Sequence, residues 1–108
     1  LIENGRVVGD YFRARLRELK ATQPLIGDVR GNGMLIGVEF VTDHDTRMPA
    51  TGETVRLLEL MRQRHVLVGN EGRDGNTLKL RPPLVFRHEH VDLFVDALDG
   101  ALNEIQGW

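Results

Sequence analysis

The stretch from residue 76 to residue 86 constrains the fold most strongly, because it reads Asn-Thr-Leu-Lys-Leu-Arg-Pro-Pro-Leu-Val-Phe. Successive side chains of an extended backbone alternate between faces. Leu78 and Leu80 therefore belong on a core face, and Lys79 and Arg81 on the opposite face. The two prolines remove backbone donors and end any interior strand. The pattern predicts a strand over residues 77–81 with two cations near its exit. These cations indicate either an anion-binding site or a solvated strand face.

Length and composition narrow the class of protein. A chain of 108 residues without cysteine predicts one domain, residues 1–108, with no disulfide framework and the cytoplasm as its default compartment. The formal net charge of −2 provides no general attraction for nucleic acid or anionic lipid. No apolar run approaches the roughly 20 residues of a membrane span. We therefore expect neither a nucleic-acid nor a membrane partner. Because the sequence begins at Leu1, we expect it to be a piece of a longer protein.

Three segments place apolar residues at helical spacing. In the first, residues 2–20, the basic residues are expected on a solvated face. The second follows Thr51, which is predicted to cap it. The third, over residues 91–105, has the clearest apolar stripe. The apolar stripe of the first helix consists of Val8, Phe12, Leu16 and Leu19, and that of the second of Val55, Leu57, Leu58 and Met61.

The strands are predicted between these helices. A short strand over residues 28–30 and a long strand over residues 34–41 flank an Asn-Gly turn, which is typical of a hairpin. Residues 66–68 predict a further strand, antiparallel to residues 77–81. Gly37, inside the long strand, indicates a close approach of backbone or helix. Together the elements predict an α/β (α+β) fold, in which a small, mostly antiparallel sheet of three to four strands is covered by helices on one face.

Three short motifs fail as cofactor or metal sites. The Gly-x-Gly at residues 31–33 lacks the third glycine and the following helix of a dinucleotide site. The polar loop at residues 43–47 lacks the spacing of a calcium loop. His88 and His90 are two residues apart at a helix start, where they do not face each other. We expect them to be capping or solvated histidines, and we predict no metal site.

Two motifs in this order resemble the C-terminal small domain of class III aminotransferases, which are pyridoxal-phosphate enzymes of fold type I. They are Asp-Val-Arg-Gly-Asn-Gly-Met-Leu-Ile-Gly-Val-Glu at residues 28–39 and Asn-Thr-Leu-Lys-Leu-Arg-Pro-Pro-Leu at residues 76–84. Residues 46–51 and 78–83 are most similar to the branch with alanine–glyoxylate aminotransferase-like and phosphoethanolamine phospho-lyase enzymes. The resemblance implies the small sheet domain of these enzymes and a homodimeric parent.

The resemblance also implies a reaction, the transfer of an amino group from a primary amine or amino acid to a keto acid. Pyridoxal 5'-phosphate serves as the electron sink in this chemistry. In the family it is held by a lysine and an aspartate of the large domain, which this chain lacks. Lys20 and Lys79 do not have the family's Schiff-base context. We therefore assign no catalytic residue and expect the 108 residues alone to be inactive.

The substrate-binding residues that the resemblance implies are Lys79 and, less directly, Arg81. In many members an arginine three residues before the first proline binds the substrate carboxylate, and Lys79 occupies that position. Lysine offers a point charge where arginine offers a planar fork, which Arg81 could supply instead. Lysine suits the phospho-lyase branch, whose best-known substrate has a phosphate and no carboxylate. The alternatives are therefore elimination of phosphate from a phosphoethanolamine-like amine, or a free-standing small-molecule-binding module without catalysis. The amino donor and acceptor stay open.

Overall fold

The computed structural model describes residues 2–33, 35–82 and 86–107. Within these ranges the chain forms three helices and five strands. In chain order they are α1 (Ile2–Thr22), β1 (Ile26–Asn32), β2 (Leu35–Asp43), β3 (Met48–Pro49), α2 (Thr51–Gln63), β4 (Asn70–Glu71), β5 (Thr77–Leu80) and α3 (His88–Gln106). No helix of the described part is long and apolar enough to cross a membrane.

The strands form one antiparallel sheet in the order β1-β2-β5-β4, with β3 paired to β2 outside this path. The hairpin at the Asn-Gly turn is confirmed, because Asn32 pairs with Leu35. In the centre of the sheet Val38 lies opposite Leu78, and Gly37 lies opposite Lys79. The predicted α/β fold with a mostly antiparallel sheet is therefore confirmed.

The two faces of the sheet differ in chemistry. One face is apolar and buried, and it packs against the helices to form the core; its central residues are Ile36, Val38, Phe40, Leu78 and Leu80. The other face carries charged side chains, among them Arg30, Glu39 and Lys79, which stay partly or largely exposed. The period-two alternation of the strands produces this division.

Polar contacts join α1 to α3 beside the core. The Tyr11 hydroxyl donates to Asp92 Oδ1 at 2.6 Å, and Arg15 forms an ion pair with the same carboxylate. The hydrogen bond with Tyr11 is the main cause that raises the pKa of Arg15, with desolvation opposing it and Asp92 adding to it. The buried Gln23 amide donates to Asp99 Oδ1 at 2.6 Å near the other end of the helix pair. These contacts fix α1 along α3.

The sequence predicts that the basic residues of α1 lie on a solvated face, but this is wrong for one of them. Arg13 is buried, donates to the carbonyl oxygen of Gly33 and pairs with Asp10. A Cβ atom on Gly9 would lie 2.2 Å from the same Gly33 oxygen. The turn between β1 and β2 therefore packs directly on α1, and this contact covers Arg13.

Two predictions for the second helix are wrong. Thr51 does not cap α2, because the helix begins at Thr51 itself and the Thr51 hydroxyl donates to the Asp74 carbonyl oxygen at 2.6 Å. Val55 is exposed, since the buried face is rotated away from it. The buried residues of α2 are Thr54, Leu57, Leu60 and Met61, and Leu58 packs partly against them.

The predicted strand at residues 66–68 is also wrong, and the short strand β4 lies just after it. His65 takes a positive φ of 65°, and the Val66 N–H donates back to the Met61 carbonyl oxygen at 2.9 Å. The chain thus turns tightly at the end of α2. Residues 66–69 then run without regular structure, and Leu67 is 83% exposed.

Other differences concern boundaries and one glycine. β1 and β2 extend beyond residues 28–30 and 34–41, and β3 was not predicted. A Cβ on Gly37 would lie 3.6 Å from Arg30 Cγ and 3.8 Å from Thr77 Cγ2, so side chains, rather than backbone or helix, approach this glycine. Met34, the predicted start of the long strand, lies outside the described residues.

Candidate functional site

The exit of β5 presents the two cations that the sequence singled out. Leu78 and Leu80 are buried on the core face, and the Lys79 side chain between them is 44% exposed on the open face. Arg81 follows the last residue of β5 and is exposed. The strand therefore ends before the proline pair, as predicted, although Pro83 and the two residues after it lie outside the described residues.

A groove with a volume of about 500 Å³ lies beside this exit. It is lined by residues at the exit of β5, in the segment after α2, in α1, and in α3 and the segment just before it. They are Phe12, His65, Val66, Leu67, Val68, Gly69, Lys79, Leu80, Arg81, Pro82, Phe86, His90, Leu93 and Phe94. The structure thus brings both predicted site residues into one groove.

Aromatic rings form the inner wall of the groove. The ring of Phe12, which is 1% exposed, lies 6.1 Å from that of Phe86 in a stacked arrangement and 5.2 Å from that of Phe94 edge to face. Aromatic pairs at these separations add to the stabilisation from burial alone. Because Phe12 also belongs to the core, this wall is held by the packing of α1 on α3.

His90 closes the groove at the start of α3 and acts as a capping residue. Its Nδ1 accepts a hydrogen bond from the Arg87 backbone N–H at 2.9 Å. The His88 ring instead lies 4.3 Å from the Tyr11 ring. The prediction of capping or solvated histidines is therefore confirmed for His90. Among the described residues no cluster of three or more potential metal ligands occurs.

The electrostatics of the groove depend on one acidic residue. Lys79 Nζ lies 3.0 Å from Glu71 Oε2, and both side chains are about half exposed. Arg81 forms no ion pair with any carboxylate in the described part of the chain. Counting only the full charges of Lys79, Arg81 and Glu71, this end of the groove has a net charge of about +1.

Sequence reasoning missed two residues that line the groove, and a third, Glu71, that lies beside it and pairs with Lys79. Leu67 and Leu93 are 83% and 67% exposed and form its apolar rim. The sequence predicts Leu67 in a strand, and Leu93 lies off the buried stripe of α3. Glu71 lies in a turn-rich stretch, where no local pattern distinguishes it from the other polar residues. Its position opposite the β5 cations follows from strand pairing alone.

The residues of this chain do not fit pyridoxal phosphate. The cofactor needs a lysine for its Schiff base, and the chain contains only Lys20 and Lys79. Lys20 lies on the exposed side of the last turn of α1, and Lys79 is paired with Glu71 on the strand face. What the groove offers is positive charge beside apolar surface, which suits an anionic group attached to a carbon skeleton.

An antiparallel sheet backed by three helices, with two cations at the exit of one strand, defines a small α/β domain with a candidate anion-binding groove. The family described as Aminotransferase class-III matches residues 1–102, and the chain belongs to this family. The predicted resemblance is confirmed.

Relatives support this assignment at the level of sequence and structure. The chain is 39% identical over 105 residues to alanine–glyoxylate aminotransferase 2 homolog 2 of Arabidopsis thaliana, covering 97% of this chain and 22% of that protein. It is similar to a phospholyase from Arthrobacter in complex with phosphoethanolamine, with 37% identity, a TM-score of 0.85, and coverage of 92% and 24% of the two chains. It is also similar to a PLP-bound amine transaminase from an uncultivated Pseudomonas species, with 33% identity, a TM-score of 0.82, and coverage of 94% and 23%. The chain thus spans about a quarter or less of the length of these relatives.

Proposed function

We propose that residues 1–108 form the C-terminal domain of a pyridoxal-phosphate-dependent class III aminotransferase. In this role Lys79 and Arg81 bind the anionic group of a substrate during amino-group transfer from a primary amine or amino acid to a keto acid. The observation that carries the proposal is the meeting of both cations in one partly apolar groove. Membership of the family supplies the reaction class.

The rest of the parent enzyme supplies the cofactor in this proposal. The relatives are about four times as long as this chain, and its two lysines do not fit the cofactor. The large domain therefore holds pyridoxal phosphate and performs the chemistry, and the 108 residues alone have no activity. A homodimeric parent is part of the same proposal and rests on the family resemblance.

The residues of this chain would act by binding and orientation. Lys79 provides a compact charge that attracts an anion from several directions, and Arg81 provides a planar fork that can bind two oxygens at once. The rim residues Leu67 and Leu93 offer apolar contact to the substrate skeleton. The groove then holds the reacting amine at a fixed distance from its anionic group, which reduces the entropic cost of reaching the transition state.

A second candidate function is elimination of phosphate from a phosphoethanolamine-like amine. The observation that favours it is the similarity to the phospholyase from Arthrobacter. The family resemblance also implies that many members have arginine at the position of Lys79, and a lysine suits this branch. Incubation of the full-length parent with phosphoethanolamine separates the two reactions. Released phosphate supports elimination, whereas amination of a keto acid without released phosphate supports transamination.

A third candidate is a free-standing small-molecule-binding module. The coding sequence upstream decides between this module and a domain of an enzyme. An upstream segment that encodes a large domain with the cofactor lysine supports the enzyme, and a start codon immediately before Leu1 supports the module.

The substitution Lys79→Gln in the full-length parent tests the binding role. Loss of a charged hydrogen bond to the substrate should raise the KM of an anionic amine about tenfold, measured by steady-state kinetics. Arg30→Gln is the matched control, because Arg30 lies on the same open sheet face, paired with Asp28 at 2.9 Å and outside the groove. Equal effects of the two substitutions, or none from either, would remove Lys79 from the substrate site.

A further inference from the structure

We propose that Glu71 is a specificity-determining residue of this groove. Its carboxylate pairs with Lys79 and partly neutralises this cation. In this way Glu71 determines how strongly the site prefers an anionic amine over an amine without a second charged group. The inference rests on the proposed function, because it requires Lys79 to face the substrate. It adds a residue that the family resemblance did not assign and that lies outside the motif carrying Lys79.

Strand pairing determines the position of Glu71. β4 pairs with β5 so that Glu71 lies opposite Thr77, which makes Lys79 its diagonal neighbour. Diagonal neighbours on adjacent strands are within reach of long side chains, and Lys79 Nζ lies 3.0 Å from Glu71 Oε2. The carboxylate is thus placed at the cation by the sheet itself.

The loop between β4 and β5 supports this placement. The Asn70 side-chain amide donates to the Gly75 carbonyl oxygen at 2.9 Å, which closes the loop on itself. Gly72 and Gly75 take positive φ values of 92° and 63°, a conformation that glycine adopts without steric cost. The loop is therefore tightly turned, and it returns the chain directly from Glu71 to β5.

The charge balance at this end of the sheet is incomplete. Arg30, on the neighbouring strand pair, lies 2.9 Å from Asp28 and 4.0 Å from Glu39, and Glu39 also pairs with Arg47, so two acidic residues compensate two cations. At the groove, Glu71 alone compensates Lys79, and no described acidic residue pairs with Arg81. An incoming anion therefore meets one cation that has no acidic partner in the described part of the chain, and one cation that already has a carboxylate beside it.

Removal of the Glu71 charge has a consequence that depends on the ligand. The electrostatic free energy of a bound group is proportional to its charge, so loss of one nearby negative charge favours a dianion about twice as much as a monoanion. A ligand without charge at that point gains nothing. This dependence on ligand charge separates an electrostatic role of Glu71 from a structural one, which would alter the binding of all ligands alike.

The test compares three amines with the full-length parent holoenzyme and its Glu71→Gln variant. Propylamine has no second charged group, β-alanine has a carboxylate, and phosphoethanolamine has a phosphate monoester that is mainly a dianion at neutral pH. The measured quantity is KM, or the inhibition constant where an amine is not turned over. From the energies of exposed ion pairs, we expect this constant to fall roughly threefold for β-alanine and roughly tenfold for phosphoethanolamine. For propylamine it should not change, and all the differences should shrink as salt is added.

A matched control is available on α2. Glu59 and Arg62 form an ion pair of 2.5 Å with side chains about as exposed as those of Glu71 and Lys79. The hydrogen bond from Arg62 lowers the pKa of Glu59, so Glu59→Gln also removes an ionised carboxylate, but one outside the groove. We expect Glu59→Gln to leave all three constants unchanged. A similar response to Glu59→Gln would show an effect of total charge and would overturn the role of Glu71.

The Lys79→Gln background separates failure of this inference from failure of the proposed function. One outcome is that Lys79→Gln weakens the binding of β-alanine and phosphoethanolamine while Glu71→Gln changes the constants of all three amines equally or not at all. In that case Glu71 does not determine specificity, and the proposed substrate site stands. If Lys79→Gln has no effect on the anionic amines, the proposed substrate site is wrong, and the role of Glu71 is wrong with it. In the double variant the charge-dependent effect of Glu71→Gln should be smaller than in the parent, because the ion pair is already absent.

Discussion

The covered and open faces of the sheet use the same strands for different purposes. Leu78 and Lys79 are consecutive residues of β5, yet the first is 0% exposed in the core, and the second has a 44% exposed side chain on the open face and is among the residues that line the groove. On the covered face each side chain packs against several others, so its removal lowers the free energy of unfolding. On the open face at the groove, positive charge remains partly uncompensated, so removal of a cation should lower the affinity for an anionic substrate. Substitutions on the two faces should therefore separate stability from substrate affinity.

The largest expected effect belongs to the covered face. Leu78→Ala should lower the free energy of unfolding by about 2–5 kcal/mol, because it removes buried methyl groups and leaves a cavity. Urea unfolding of the 108-residue chain measures this change. Leu67→Ala is the control, since Leu67 is 83% exposed, and it should change the free energy by less than about 0.5 kcal/mol. Equal effects of the two substitutions would contradict the division into two faces.

A smaller effect is expected where α1 meets the sheet. A Cβ on Gly9 would lie 2.2 Å from the Gly33 carbonyl oxygen, so Gly9→Ala must displace the turn between β1 and β2 and should cost about 1–3 kcal/mol. Gly52→Ala, also in a helix, meets no atom within 4 Å and should stabilise the chain slightly. The two melting temperatures should therefore move in opposite directions. A rise for Gly9→Ala would show that the turn does not pack on α1.

The smallest change in stability, and the sharpest test of the comparison, is expected for Lys79→Gln. An exposed ion pair contributes at most about 1 kcal/mol, so the urea midpoint should hardly move. The same substitution should raise the KM of an anionic amine in the full-length parent about tenfold. A large loss of stability together with unchanged kinetics would reverse the assignment of Lys79 from binding to structure.

The sequence predicted the parts of the molecule that depend on local periodicity. The alternation of Leu78, Lys79 and Leu80 predicted which of these side chains are buried and which is exposed, and the apolar stripe of α3 is buried as expected. The two cations could be named as site residues because the strand exit is marked by prolines. What links them to the chemistry of the family is a resemblance, because periodicity alone favoured a solvated strand face.

The failures have a common physical origin in contacts between distant parts of the chain. Arg13 is buried only because the turn at Gly33 packs on it. Residues 66–68 are apolar enough for a strand, but the tight turn at His65 directs them along the groove instead. Glu71 reaches Lys79 through strand pairing. None of these contacts leaves a periodic trace in the sequence.

The length of β4 has a consequence for motion. β4 consists of two residues joined to β5 alone, whereas β5 is hydrogen-bonded to strands on both sides. Segments with few hydrogen bonds and few packed neighbours open locally far more often than the centre of a sheet. Glu71 therefore lies in a strand that opens readily, whereas Lys79 lies in a strand that is held on both sides. Brief opening of β4 would free Lys79 from its carboxylate partner without disturbing the core.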